Sequence, residues 1–440
     1  MKFAGIIAEY DPFHNGHAWQ LAQAKALGAE RVAVAMSCSL VQRGALPLLP
    51  EAVRTRSALT CGADLVFALP APCACAGAEA FARAGVALLA AAGCDGLVFG
   101  AETPDAALLM EAAELLDSGS YRAALKAQLA GGARSFAAAR QAAAAELASD
   151  ERVAALLDKP NNNLAVEYCR AIRSLAPRME AYPLPRQGAN HGEALHSAHG
   201  QFASASALRK LWAEGGADAV APYVPEAVFP LYQEAYAAGQ YTDFSAAGRC
   251  ELALLRSACR GKAPFADIRG VSEGLEHRLE AAVRTSTTYD ELLDALTTVR
   301  YPRARMRRLA MDAALGCTAD SLPALPPYLH LLGGKKDALP LLRNCTLAGP
   351  SAGSRRCLRS DGRGAACRRR FWYALPRFTR GHGRSTSSKK YLFDVMTEIF
   401  LQILSFRHLY AKEVSVYYSK HIWMERRLFD RYKTVQWQLT

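Results

Sequence analysis

Gly5-Ile6-Ile7-Ala8-Glu9-Tyr10-Asp11-Pro12-Phe13-His14-Asn15-Gly16-His17 is the stretch that decides how this chain is read. An apolar run, a Pro/Asn/Gly turn and then Ala18 to Leu27 in helix-forming residues predict strand, loop and helix. The two histidines then stand at a helix N-terminus behind the first strand of a βαβ unit. Such a terminus offers unpaired N–H groups and the positive end of the helix dipole, which attract phosphate. Gly16 lets backbone approach a ligand closely, and His14 and His17 can each donate to a phosphate oxygen. Two surface histidines in a polar loop are the plainer alternative.

Strand and helix repeat outward from this segment. Gly5 to Glu9, Arg31 to Ser37, Asp64 to Leu69 and Gly96 to Gly100 read as strands, with helices at Ala18–Leu27, Glu51–Cys61 and Glu79–Ala92 between them. Nearly continuous apolar strands alternating with helices predict an α/β fold, a Rossmann-like parallel sheet covered on both faces. Ligands in such sheets bind beyond the C-terminal strand ends. The His14 loop, the Ser37 to Gly44 loop and Gly100-Ala101-Glu102 all fall there. Thr103 to Leu157 is Ala-rich and helical, and Lys159-Pro160-Asn161-Asn162-Asn163 reads as a break before a helix over Leu164–Leu175. A strand near Arg178–Leu184, a loop from Arg186 to Gln201 and a helix opened by Phe202 to Arg209 follow. From about Pro222 to Leu315 the pattern is helical. The expected organisation is a nucleotide-binding domain over 1–215, an α-helical domain over 216–334 and an atypical basic tail over 335–440.

At 51% hydrophobic and 21% charged residues the chain reads as globular, without an N-terminal signal or a membrane span. Twelve scattered cysteines suggest reduced thiols in a cytoplasmic enzyme. Cys73-Ala74-Cys75 is the one close pair, and buried thiols are the favoured reading over a metal site. His191, His196 and His199 fit no zinc spacing. The net charge of +12 is concentrated at one end: the segment from Cys345 onward holds 19 basic and 6 acidic residues, whereas residues 1–344 hold 34 and 35. An RNA-binding surface in the balanced part is therefore a local patch. The tail has only six Ala in 96 residues, a break that leads us to expect non-native sequence, such as a shifted reading frame after about Asn344, rather than a basic RNA-binding tail.

Five segments in order resemble the bacterial tRNA(Met) cytidine acetate ligases of the HxGH nucleotidyltransferase superfamily. They are Gly5 to His17, with Asp11 where the family commonly has Asn; Met36-Ser37 with Val41-Gln42-Arg43-Gly44; Gly62-Ala63-Asp64-Leu65-Val66 with Leu69-Pro70; Phe99-Gly100-Ala101-Glu102; and Pro160-Asn161-Asn162, Arg186 and Ala203-Ser204-Ala205-Ser206 with Arg209. Val271 to Arg278 and Arg300-Tyr301-Pro302-Arg303-Ala304-Arg305 look like the family's helical domain, so the resemblance covers roughly Met1 to Gly334.

The resemblance implies that acetate and ATP give acetyl-adenylate and pyrophosphate, and that the wobble cytidine of elongator tRNA(Met) then takes the acetyl group. It implies catalytic roles for His14, His17 and Arg209. It implies ATP contacts at Ile7, Ala8, Glu9, Tyr10, Pro12, Phe13, His14, Asn15, Gly16, His17, Gly100, Asn162, Arg186, Gln187, Ser204 and Ser206. Mg²⁺ is expected with ATP, held mainly by phosphates and water, with no dedicated protein metal site, membrane or obligate protein partner. Arg300, Arg303, Arg305, Arg307 and Arg308 with Tyr301 form the densest basic cluster of residues 1–344; a solvated helix face is the plainer reading, and with the resemblance tRNA contact by Arg300, Arg303, Arg305 and Arg308 is favoured. Several local readings stay open: Asn161 and Asn162 as a turn and helix cap, Ser204 as an ordinary N-cap, Arg43 as a solvated cation. Cys38-Ser39-Leu40, Ala45-Leu46 and Glu51 depart from the family pattern and put the second loop's contacts in question. The alternatives are another adenylyltransferase with a small-molecule acceptor and a non-catalytic RNA-binding relative.

Overall fold

The computed structural model describes residues 1–345 apart from 133–134, 186–194, 198–199, 262, 273 and 320–323. Eight strands form: β1 (Phe3–Ala8), β2 (Arg31–Ser37), β3 (Leu65–Leu69), β4 (Gly96–Ala101), β5 (Glu180–Pro185), β6 (Leu195–Ser197), β7 (Gly200–Phe202) and β8 (Leu331–Gly334). Six make one sheet in the order β5-β4-β1-β2-β3-β8, parallel except for β8, and β6–β7 is a separate antiparallel hairpin. The strands are buried on both faces because alternate residues feed different cores. In β2, Ala33 and Ala35 face one core, and Val32, Val34 and Met36 face the other. Ala78–Ala92 and Pro160–Leu175 cover the first face; Asn15–Ala26 and Ala205–Ala219 cover the second.

From β1 the chain moves outward through β2 and β3, then returns to place β4 on the other side of β1. The order reverses at that point, making the ends of β1 and β4 the switch point beyond which α/β sheets generally take ligands in a crevice. Helices Phe244–Ala258, Leu275–Thr285, Tyr289–Leu296 and Arg303–Ala314 enclose their own core around Leu255, Leu279, Leu293 and Met306. A smaller apolar cluster, Leu40, Leu46, Ala71 and Cys75 with Met311, Leu315 and Cys317, joins them to the sheet domain. Arg269 rivets the same seam. It forms two hydrogen bonds to Asp312, at 2.8 and 2.6 Å, and donates to the carbonyls of Pro72 and Cys75, each at 2.7 Å.

Some expectations shift. The first helix starts at Asn15, ahead of Ala18, because His14 caps it. Lys159 to Asn163 is no break: the helix begins at Pro160, a residue suited to a first turn, and the three asparagines lie inside it. Residues 331–345, divided in the sequence reading between the helical domain and the tail, pack on the sheet. β8 pairs with β3, Ala338 is fully buried and Cys345 lies near the Ala92 carbonyl. No described cysteine is in a disulfide, and Cys73 and Cys75 are buried thiols pushed up by burial. No described helix is long and apolar enough to cross a membrane.

The helical core also holds a pH-sensitive carboxyl. Glu251 is buried beside Tyr289 and Arg307; burial pushes its pKa up to about 7, against the opposing pull of those two groups. The fold thus favours the protonated form. Its stabilising contribution is complete below the ordinary value of 4.5 and is lost as pH rises through 7. Glu251→Gln is expected to raise stability at pH 8 by up to about 3 kcal/mol and to change it little at pH 4.5. Equal shifts in melting temperature at both pH values would refute the assignment.

Candidate active site

The turn after β1 is built on buried aromatic rings. Tyr10 and Phe13 are fully buried, with ring centroids 4.9 Å apart, and His17 packs against them at 4.8 and 5.6 Å. Tyr10 has a φ of 50°, and Tyr232 Oη donates to the Phe13 carbonyl at 2.7 Å. The rings of His14 and His17 are stacked with centroids 3.8 Å apart. A reciprocal cap holds them: Gly16 N donates to His14 Nδ1 at 3.1 Å, and His14 N donates to His17 Nδ1 at 3.3 Å. An accepting Nδ1 carries no proton, so this network assigns the proton of each neutral ring to Nε2. A Cβ at position 16 would lie 2.9 Å from His14 Cε1; the glycine is needed to seat the imidazole. Asn15 is buried and donates to the Pro222 carbonyl at 3.2 Å, and Ile7 packs against Gly85. Ile7, Tyr10, Phe13 and Asn15 therefore brace the loop with their side chains.

Arg209 reaches this turn from the helix Ala205–Ala219. Its Nη1 donates to the Asp11 carbonyl at 2.6 Å and to Asp11 Oδ2 at 3.0 Å. Asp11 Oδ1 also accepts from Leu48 N at 2.6 Å, so this one carboxylate ties together β1's exit, the second loop and the guanidinium. Ser204 is the N-cap of that helix, accepting from Ala207 N at 3.3 Å, with Ser206 Oγ 3.0 Å from Ser204 Oγ. The capping reading thus holds for Ser204, and both hydroxyls remain at the helix start.

The second loop turns tightly between Val41 and Ala45. Gly44, at φ +75°, has no room for a side chain, since a Cβ would lie 2.6 Å from Arg308 N. Gln42 N donates to Glu9 Oε1 at 2.5 Å, Arg308 donates to the Gln42 carbonyl at 3.3 Å, and Arg43 is exposed. Cys38, Ser39 and Leu40 are buried, so the divergent tripeptide packs against the seam; Cys38 Sγ donates to the Leu69 carbonyl at 3.2 Å.

The sequence reading missed Arg54. It is fully buried and donates to the carbonyls of Leu49 (3.0 Å), Glu9 (2.9 Å), Ser37 (2.6 Å) and Cys38, binding the ends of β1 and β2 to the loop. The available signal was an arginine on the helix face shared by Val53, Ser57 and Ala58. On the other side of the crevice Gly100 is exposed at the end of β4. Glu102 accepts from Asn162 N at 2.7 Å and from Asn161 Nδ2 at 2.5 Å, capping the helix Pro160–Leu175. Asn162 is buried; Thr103 N donates to its Oδ1 at 2.9 Å. Asp64 belongs to the opposite edge, where it accepts from Val32 N at 2.8 Å and pairs with Lys25 at 2.8 Å. Arg186, Gln187, His191 and His199 lie outside the described residues, as do the side chain of His196 and the tail beyond residue 345. Among the described residues no group of three or more His, Cys, Asp or Glu is arranged to hold a metal.

The basic cluster divides on inspection. Arg303 pairs with Asp290 at 2.7 Å and with Asp294. Arg305 lies over the Tyr301 ring at 4.9 Å and Arg300 at 6.0 Å. Arg308 is directed to the second loop.

The sequence matches the family described as HIGH Nucleotidyl Transferase over residues 1–347. It is 37% identical to a tRNA(Met) cytidine acetate ligase of Syntrophotalea carbinolica, over 76% of this chain and 80% of that one. It is 33% identical to the enzyme of the same name from Acetivibrio thermocellus, over 76% and 83%. The fold superposes on a crystal structure of Thermotoga maritima TmcAL bound with alpha-thio ATP, at a TM-score of 0.74 and 25% identity, covering 93% of this chain and 92% of that one. A Rossmann-like sheet with paired imidazoles at its switch point, matched along most of its length to these enzymes, belongs to the tRNA(Met) cytidine acetate ligase family of HIGH nucleotidyltransferases.

Proposed function

We propose that this chain condenses acetate with ATP to acetyl-adenylate and pyrophosphate, then transfers the acetyl group to the exocyclic amine of the wobble cytidine of elongator tRNA(Met) in the cytoplasm. The observation that carries this reading is the capped imidazole pair at the β1 exit, with Arg209 reaching the same turn. Acetate is a poor acyl donor because its oxygen leaves badly; a mixed anhydride with AMP leaves well. Forming it needs in-line attack at the α-phosphorus, so the protein's task is positioning and charge stabilisation. The Nε2–H groups of His14 and His17, the helix N-terminus and the Arg209 guanidinium supply donors for that purpose. Gly100, Asn162, Arg186 and Gln187 are proposed on the nucleotide side. Mg²⁺ is proposed as an ion brought with ATP and held mainly by phosphate and water. Purified protein is expected to show ATP–pyrophosphate exchange that requires acetate, and nucleosides from cells lacking the gene should lose N4-acetylcytidine from elongator tRNA(Met). Exchange indifferent to acetate would point to a small-molecule adenylyltransferase, and none at all to a non-catalytic relative.

The helical domain is proposed as the tRNA surface. Arg305, stacked on Tyr301, suits base and phosphate contact, whereas Arg303 is already neutralised by two aspartates. Arg305→Ala should raise the apparent tRNA KM by about five- to ten-fold, Arg303→Ala by less, with acetate-dependent exchange retained in both. Filter binding together with exchange checks this; loss of exchange would refute the separation of roles.

A further inference from the structure

The proposed reaction has one proton transfer, and none of the roles assigned so far handles it. Acetate enters as an anion, so adenylation moves no proton. The transfer step differs. The cytosine amine is a weak nucleophile whose lone pair is delocalised into the ring, and once it bonds to the acetyl carbon its nitrogen is cationic and must shed a proton.

Glu9 lies between the proposed ATP-binding turn and the second loop. It follows β1 directly, at the sheet's switch point, and is half-buried. Its Oε1 accepts from Gln42 N at 2.5 Å, and the carbonyl of that same Gln42 accepts from Arg308 of the helical domain at 3.3 Å. One residue of the second loop thus separates the carboxylate beside the ATP-binding turn from the domain proposed to carry tRNA. Oε2 makes no hydrogen bond among the described residues. The groups facing Glu9 are Asp11 on its own segment, Arg43 on the second loop, Arg209 from Ala205–Ala219 and Tyr168 from Pro160–Leu175. Burial, then the Asp11 charge, pushes the Glu9 carboxyl up, while the Gln42 N–H, Arg43 and Arg209 pull the other way. A carboxylate whose pKa is raised is a better proton acceptor than an ordinary one.

We propose that Glu9 is the general base of acetyl transfer, an assignment that rests on the acetate ligase reading. The amine nitrogen forms its bond to the acetyl carbon, one N–H proton passes to Glu9 Oε2, and the acetyl C–O bond breaks with its electron pair leaving on AMP. The proton then goes to solvent.

The test is Glu9→Gln in the full chain. The amide oxygen can still accept from Gln42 N, so the melting temperature should stay within a few degrees of the parent. Single-turnover transfer from preformed acetyl-adenylate to tRNA, which bypasses ATP binding, should fall by about a hundred-fold, the scale of general base catalysis. The parent transfer rate should rise with pH through an inflection above the ordinary carboxylate range, the Gln variant should be flat, and Glu9→Asp should keep the inflection at a reduced rate. Transfer from preformed acetyl-adenylate by the Gln variant within about three-fold of the parent, or a Gln variant that keeps the parent's pH inflection, overturns the assignment. A parent protein without acetate-dependent exchange removes the reading on which it rests, and the proposal with it.

Discussion

His17→Ala is expected to lower acetate-dependent ATP–pyrophosphate exchange by about two to three orders of magnitude, the scale of deleting one preorganised donor to developing charge. The fold should survive. His17 is half-buried, and its Nδ1 accepts one cap hydrogen bond from His14 N. Losing a cap costs about 1 kcal/mol, or a few degrees in melting temperature. The activity loss exceeds this because of the tautomer. With Nδ1 accepting from the helix start, the donor of the neutral ring is fixed at Nε2, so the tautomer needs no change when charge develops on the phosphate. His17→Asn offers a control: its side-chain oxygen can take over the cap while its amide sits short of the Nε2 position, so stability should return with little activity. Calorimetry and isotope exchange on the three proteins decide the matter. A melting temperature lowered by more than about ten degrees, or exchange within ten-fold of the parent, would make His17 a structural residue.

Much of the fold was legible because its strands are buried on both sides. Arg31 to Ser37 was readable to the residue, since nothing but a central parallel strand suits so short an apolar β-rich run between helices. Element ends were less so, because their causes are side-chain contacts. β1 stops at Ala8 as Tyr10 turns the chain through a positive φ, and the following helix starts early on the His14 cap. The asparagines at 161–163 mimic a turn in composition, but Glu102, some sixty positions upstream, accepts from the N–H groups of Asn161 and Asn162 and caps the helix that contains all three. Pairings of this range leave no periodic trace. Arg209 was visible as a cation at a helix start; its pairing with Asp11, 198 positions away, was not. The histidines were legible because their chemistry is local: cap, glycine and ring stack all lie within four residues.

Arg54 has the largest expected effect on stability and no local signature that announces it. A guanidinium with no exposed surface usually sits on a carboxylate. This one donates instead to four main-chain carbonyls, those of Glu9, Ser37, Cys38 and Leu49. These carbonyls end β1 and β2 and close the second loop, where no further strand residue supplies an N–H. Arg54→Met keeps much of the volume and removes every donor. An unsatisfied buried polar group costs about 1–3 kcal/mol. Relief from burying the charge offsets part of the sum, so a net loss of about 4 kcal/mol is expected. Arg54→Lys recovers little, because one ammonium cannot span carbonyls drawn from three segments. The functional consequence follows from position. The Glu9 carbonyl held by Arg54 belongs to the residue whose side chain meets Gln42, so loosening it releases the β1 exit and the second loop together. In Arg54→Met, exchange measured well below the melting transition should therefore fall along with stability, whereas in His17→Ala exchange falls almost alone. Urea titration gives the stability term; a midpoint within error of the parent would mean that water or a rearranged loop satisfies those carbonyls, and that the guanidinium is dispensable to the site.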